Sequence, residues 1–170
     1  MFSKDVTIEG EILAKDWKVN MSKDVKLNTL LAQAGVKKDE TTGALTTPLH
    51  FSTTYQHPEF GQSTGYDYTR TKNPTRVSLE ETLAAIESAN YALATSSGMS
   101  AIVLAFSAFP FGSKVLAVRD LYGGSFRWFA QAEAEGRFAF TYANTEEELL
   151  NNLTEDIDIV YIETPTNPLM

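Results

Sequence analysis

The chain has 170 residues, 43% of them hydrophobic and 11% aromatic, which is ordinary globular usage and long enough to bury a core. Fourteen basic against twenty-two acidic residues leave a net charge of -8, which opposes binding to a nucleic-acid backbone or an anionic membrane surface. Cysteine is absent, so disulfides, thiolate metal sites and a cysteine nucleophile are excluded, and the cytoplasm is the expected compartment.

The first twenty residues lack the apolar core of a signal peptide, and the most apolar run, Ala101 to Phe109, is too short to span a bilayer and reads as a buried helix. MFSKDV at residues 1–6 is echoed by MSKDV at 21–25, so residues 1–22 are expected to be a disordered extension. Residues 23–76 read as an amino-terminal arm. From residue 41 onward they are rich in Thr, Gly, Tyr and Pro with little periodicity, which predicts an extended segment that touches something else.

Asn73-Pro74 is an N-cap followed by proline at the first helical position. Leu79, Leu83 and Ile86 then follow at i, i+4, i+7 spacing, the pattern of an amphipathic helix. Beyond it the chain alternates. Strands are predicted at 91–94, 114–118, 138–142 and 157–162, and helices at 99–109, 125–135 and 145–152, the last capped by Thr145 with Glu148 three residues on. Short apolar strands separated by helices predict a mainly parallel α/β sheet with helices on both faces, and such sheets place ligands at the carboxyl ends of their strands. Residues 77–170 are taken as the first part of that domain.

Three predicted strand ends carry polar or aromatic groups. Thr95-Ser96-Ser97-Gly98-Met99-Ser100 opens a helix, where free backbone N–H groups and a glycine suit a phosphate; the same stretch also serves as a capped turn without a ligand. It is neither a P-loop nor a dinucleotide fingerprint, since both glycine patterns are missing. Asp120-Leu121-Tyr122-Gly123-Gly124 puts a tyrosine just past a strand, able to lie against a ring or simply to sit half-buried beside a turn. Glu163 to Pro168 is a proline-bracketed turn in which Asn167 offers an amide and Glu163 a charge. Upstream, Tyr68 and Arg70 share one side of an extended segment, a phenol and a guanidinium fork suited to phosphate, although an exposed loop arginine is commonly just solvated.

GYDYTRTKNPTR, SSGMSA, DLYGG and ETPTNPL, in this order, resemble the Cys/Met metabolism family of pyridoxal-phosphate enzymes, the cystathionine synthases and lyases of transsulfuration. The likeness runs over residues 23–170. It implies a fold-type I PLP-dependent transferase, aspartate aminotransferase-like, with pyridoxal 5'-phosphate as cofactor and a small amino-acid substrate. By the same resemblance, Gly98 and Met99 hold the cofactor phosphate through backbone N–H groups, Tyr122 stacks on the pyridine ring as the catalytic-site tyrosine, and Asn167 bonds its 3' oxygen. Tyr68 and Arg70 reach the phosphate of a neighbouring subunit's cofactor, which implies self-association, a homotetramer built as a dimer of dimers in the family. The implied activity is γ-replacement on an O-acylhomoserine by cysteine or a thiol, with a cystathionine β- or γ-lyase, or a non-catalytic fragment, as alternatives. Members specialised for methionine γ-elimination carry cysteine where this chain has Gly124. The family's aspartate facing the pyridine nitrogen and its Schiff-base lysine lie beyond a motif like ETPTNP. Lys72 and Lys114 are not credible substitutes, so the 170 residues are expected to be the amino-terminal portion of an enzyme, inactive alone.

Overall fold

The computed structural model describes residues 26–36 and 39–166, which form two units, residues 26–94 and residues 95–166. The expectation for residues 1–22 and the position of Asn167 lie outside the described residues.

In the first unit, α1 (Leu27–Ala32) packs on α2 (Pro74–Ile86). The six-residue helix α1 carries no side-chain cap and was not expected from the sequence. α2 starts as its sequence dictates: the Asn73 side chain accepts from the N–H groups of Thr75 (2.9 Å) and Arg76 (3.4 Å), and Pro74 occupies the first turn, where its missing N–H costs nothing. The buried stripe differs from the predicted one. Val77 and Ala84 are buried while Leu79 and Leu83 are 50% and 38% exposed. Val77 and Ala84, seven residues apart, share one face of the helix, while the preceding loop docks on other sides of it, Pro48 and His50 meeting Thr75 and Thr47 meeting Ser78.

The arm is not simply extended. It doubles back through an antiparallel bridge between Thr54 and Tyr68, flanked by Tyr55 N–H to Asp67 C=O (3.1 Å) and Thr69 N–H to Thr53 C=O (2.9 Å). The predicted strand at 91–94 is absent. Tyr91 and Leu93 are 67% and 69% exposed, and the Ala94 N–H bonds the Glu80 carboxylate (3.0 Å) rather than a ladder partner. An apolar alternation becomes a strand only where a neighbour accepts its N–H groups.

The second unit runs α3 (Gly98–Phe106), β1 (Ser113–Val118), α4 (Gly123–Ala134), β2 (Phe138–Ala143), α5 (Glu146–Asn151), β3 (Ile159–Tyr161). Its sheet is parallel with order β2-β1-β3, and Val115 stands opposite Phe140 on one side and Ile159 on the other. β1 is the central strand, which explains why Val115, Leu116 and Ala117 are all fully buried. Val115, Ala117, Phe138 and Phe140 share one face with α3 and α4. Phe129 of α4 stacks on Phe140 (4.6 Å) and meets Tyr161 edge-on (4.9 Å), and Phe106 of α3 joins them. Ser125, Phe129 and Ala132 repeat at i, i+4, i+7, so α4 buries one stripe. α3 is less buried than its composition suggests: of its residues only Phe106 is fully buried, and Leu104 is 42% exposed. The chain leaves β2 in the opposite direction to reach β3. A right-handed crossover therefore puts α5, which touches β1 and β2, on the other face. Thr145 caps α5 through the Glu148 N–H (3.1 Å), and the Glu148 carboxylate takes the Asn144 N–H (2.7 Å). The architecture is the α/β class expected, with helices on both faces of a mainly parallel sheet. No helix among the described residues is long and apolar enough to cross a membrane.

Candidate functional site

The carboxyl ends of β1 and β3 lie side by side because the two strands pair in parallel, and the loops that follow them meet. After β1 the chain passes Asp120 and Leu121 to Tyr122, which sits at the N-cap of α4 with two glycines behind it. Neither glycine offers a side chain to hold the turn. The Tyr122 carbonyl accepts the Phe126 N–H (3.0 Å), and the hold on its N–H comes from the segment after β3. Glu163, two residues past that strand, accepts the Tyr122 backbone N–H on Oε2 (2.7 Å) and the hydroxyls of Ser125 (2.5 Å) and Tyr161 (2.7 Å) on Oε1. Farther along the same loop, the Thr166 hydroxyl donates to Asp120 Oδ2 (2.5 Å).

Electrostatics follow from these donors. Burial pushes the Glu163 carboxyl up, but the Ser125 hydroxyl, the Tyr122 N–H and the Tyr161 hydroxyl all favour the anion, and the net displacement is below the usual carboxylate range. Burial pushes the Tyr161 phenol up to about 12; the Ser125 hydroxyl pulls down, and the adjoining Glu163 charge adds to the rise.

The start of α3 comes to the same place. Ser97 caps the helix by accepting the Ser100 N–H (3.1 Å), and its carbonyl takes the Ala101 N–H (3.1 Å). The amides of Gly98 and Met99, the first two of the helix, are left without a partner among the described residues. Nothing lies within 4 Å of where a Cβ on Gly98 would stand, so the space beside the first residue of α3 is open. A Cβ on Gly124 would lie 2.3 Å from Cε1 of Tyr122 and 3.2 Å from Sδ of Met99. That crowding places the Tyr122 ring and the Met99 side chain together over Gly124. Three of the residues expected from sequence, Gly98, Met99 and Tyr122, thus converge.

Tyr68 and Arg70 belong to the other unit and are brought to each other: Arg70 Nη2 donates to the Tyr68 hydroxyl (3.0 Å), with the guanidinium 5.2 Å from the ring centre. Their loop is built by two residues that sequence reasoning assigned no such role. Asn73 Nδ2 donates to His50 C=O (3.1 Å), the Tyr55 hydroxyl (3.3 Å) and Thr69 Oγ1 (3.1 Å). Arg76 donates to the carbonyls of Thr69 (3.3 Å), Arg70 (3.5 Å) and Thr71 (2.7 Å). The Thr69 hydroxyl also donates to the Ser52 carbonyl. The only sequence signal was that both lie inside the GYDYTRTKNPTR run. Lys114, by contrast, lies at the amino end of β1 and pairs with Asp156 (2.5 Å), away from the strand ends that carry the site.

Residues 28–170 match the Cys/Met metabolism PLP-dependent enzyme family. The chain belongs to this family. A cystathionine gamma-synthase/O-acetylhomoserine (thiol)-lyase of Bacillus subtilis is 42% identical over 146 residues, covering 85% of this chain and 39% of that protein. A cystathionine gamma-synthase of Haemophilus influenzae is 42% identical over 156 residues, 88% of this chain and 42% of that one. Among solved structures, cystathionine gamma synthase from Xanthomonas oryzae pv. oryzae in complex with cystathionine superposes with a TM-score of 0.76 at 37% identity, covering 85% of this chain and 38% of that one. The chain therefore spans about two-fifths of the length of the curated relatives it matches.

The family is pyridoxal-phosphate-dependent, and the residues present fit that group. Two unpartnered amides at a helix start, with open space beside Gly98, suit a phosphate, and a half-exposed aromatic ring nearby suits a flat heterocycle.

Proposed function

We propose that the protein is a transsulfuration enzyme that exchanges the γ-substituent of an O-acylhomoserine for the sulfur of cysteine or a small thiol. The bond from Cγ to the acyl oxygen breaks, a bond from sulfur to Cγ forms, the carboxylate leaves, and the thiol proton passes to solvent. Cystathionine or homocysteine results. Pyridoxal phosphate, when bound, supplies the electron sink that makes Cα and Cβ acidic.

In this reading the amides of Gly98 and Met99 bind the phosphate, Tyr122 lies against the pyridine ring and excludes water from it, and Asn167 orients the ring through its 3' oxygen. Tyr68 and Arg70 complete the phosphate site of a second copy of the chain, so the working unit is an oligomer. The observation that carries the reading is the convergence of Gly98, Met99 and Tyr122 at the carboxyl end of β1, and identity to the Bacillus subtilis synthase/thiol-lyase supports the choice of reaction. A second reading, cystathionine cleavage, is favoured by a cystathionine gamma-lyase of Bacillus subtilis that is 38% identical over 148 residues.

The 170 residues contain no lysine after Lys114, and Lys114 is ion-paired at the far end of its strand, so these residues bind cofactor without anchoring it covalently. We infer that they catalyse no transsulfuration alone. The test supplies the protein with pyridoxal phosphate and either O-acetylhomoserine plus cysteine or cystathionine. Cystathionine formation in the first mixture supports replacement, and pyruvate or 2-oxobutyrate from the second supports cleavage. Ordinary turnover by the 170 residues, with borohydride trapping the cofactor on Lys72 or Lys114, overturns the inference about the lysine.

A further inference from the structure

Tyr122 accepts the Phe126 N–H on its carbonyl (3.0 Å) at the start of α4, but its own N–H is held from outside the helix. It is 49% exposed, and the residues behind it are Gly123 and Gly124. Yet its ring has to keep one position if it is to lie against a cofactor bound at the start of α3. The main-chain N–H of Tyr122 is taken by Glu163, and Glu163 is itself fixed: it follows β3, which the ladder ties to β1, and its second oxygen receives two hydroxyls. One of these belongs to Ser125, fully buried on the stripe that packs α4 to the sheet, and the other to Tyr161, whose ring is part of the aromatic core. Three donors converge on one carboxylate, which is the side chain that can accept on both oxygens.

We propose that Glu163 is a positioning residue that locks the Tyr122 turn to the end of β3 and so holds the Tyr122 ring in place beside Met99 and Gly124. This rests on the reading of Tyr122 as the ring that meets the cofactor. Glutamine keeps most of the arrangement, because its carboxamide oxygen accepts from Tyr122 while its NH2 donates to the two hydroxyl oxygens. Leucine removes all three bonds. Aspartate draws the carboxylate back by about 1.5 Å, one carbon–carbon bond, and loses reach to Tyr122.

The experiment uses holoenzyme and cofactor-free protein with fluorotyrosine incorporated, the Tyr122 line being identified by its loss in Tyr122→Phe. The expected result is a single fluorine line for Tyr122 that shifts or splits in Glu163→Leu and Glu163→Asp and returns in Glu163→Gln. Pyridoxal phosphate dissociation constants should follow the same order, rising roughly three- to tenfold in Glu163→Leu, the range a lost aromatic contact implies. In a Tyr122→Ala background, Glu163→Leu should weaken cofactor binding no further. An unchanged fluorine line in Glu163→Leu overturns the proposal, and so does an equal affinity loss with and without Tyr122. If Glu163→Leu does not fold, Glu163→Asp decides by the same readouts. If Tyr122→Ala leaves cofactor affinity unchanged, the cofactor reading of Tyr122 falls, while the fluorine line still decides whether Glu163 holds the ring.

Discussion

Asn73 is the residue on which the arm and α2 both depend, and its two ends can be tested separately. Its Oδ1 caps α2 through Thr75 and Arg76, and its Nδ2 holds His50, Tyr55 and Thr69. Only 8% of the residue is exposed, so water replaces these bonds poorly at Asn73 itself, although the loop partners regain some hydration. Asn73→Ala removes a cap worth about 1 kcal/mol and amide bonds worth about 0.5 to 1.5 kcal/mol each net. Allowing for that rehydration, the expected loss is about 2 to 4 kcal/mol. Asn73→Asp keeps the cap, and its charge at the helix start returns about 0.3 to 1 kcal/mol, but it sets a carboxylate oxygen against the His50 carbonyl. Its expected cost is about 1 to 2 kcal/mol, falling on the arm alone. Urea unfolding gives the totals and amide hydrogen exchange gives the location. Asn73→Ala should speed exchange at Thr75 and Arg76 and also at Tyr55 and Thr69, whereas Asn73→Asp should speed only the latter two. Protection of Tyr55 and Thr69 at the native level in Asn73→Asp would refute the claim that the amide builds the loop presenting Tyr68 and Arg70.

Arg70→Ala should weaken cofactor retention by about 1.5 to 3 kcal/mol through loss of a charge-assisted contact. Carried in a longer chain that has the cofactor-anchoring lysine and mixed with a longer chain lacking it, Arg70→Ala should regain part of the activity; mixed dimers without any recovery would show that the arm serves its own subunit. The Glu163 carboxyl titrates below its ordinary value in the folded protein, so its stabilisation is present above the unfolded pKa and is lost as pH falls through the folded one. Acid unfolding followed by circular dichroism should therefore coincide in wild type and Glu163→Gln above the ordinary carboxylate range and begin at higher pH in the wild type below it; an earlier onset in Glu163→Gln would show that glutamine keeps less of the network than proposed. Tyr161 is held protonated to about 12, so its contribution is complete below the ordinary phenol value of 10.0 and is lost as pH rises from there toward 12. Tyrosinate difference absorbance of native protein against Tyr161→Phe should show the missing group ionising last; a group titrating near 10.0 would mean that the phenol is not buried against Glu163.

The sequence by itself determined what depends on near neighbours. The caps at Asn73 and Thr145 were legible because each closes a hydrogen bond within three residues. The alternation of strands and helices from residue 98 onward was legible because side-chain period reports local geometry. That Gly98 stands at a helix start and Tyr122 just past a strand was legible for the same reason. Tertiary structure decided what depends on a partner far along the chain. Glu163 reaches Tyr122 across 41 residues and Ser125 across 38, and no spacing rule links a carboxylate to a backbone N–H at that distance. Asn73 looked like a cap because its second set of partners, 18 and 23 residues upstream, becomes adjacent only when the arm folds back. The segment at 91–94 had the pattern of a strand and no ladder to join among the described residues, and α2 buried Val77 and Ala84 in place of its leucines because tertiary packing, not spacing, chooses the covered face. A hydrogen bond needs both ends in place, and only the folded chain brings the distant end near.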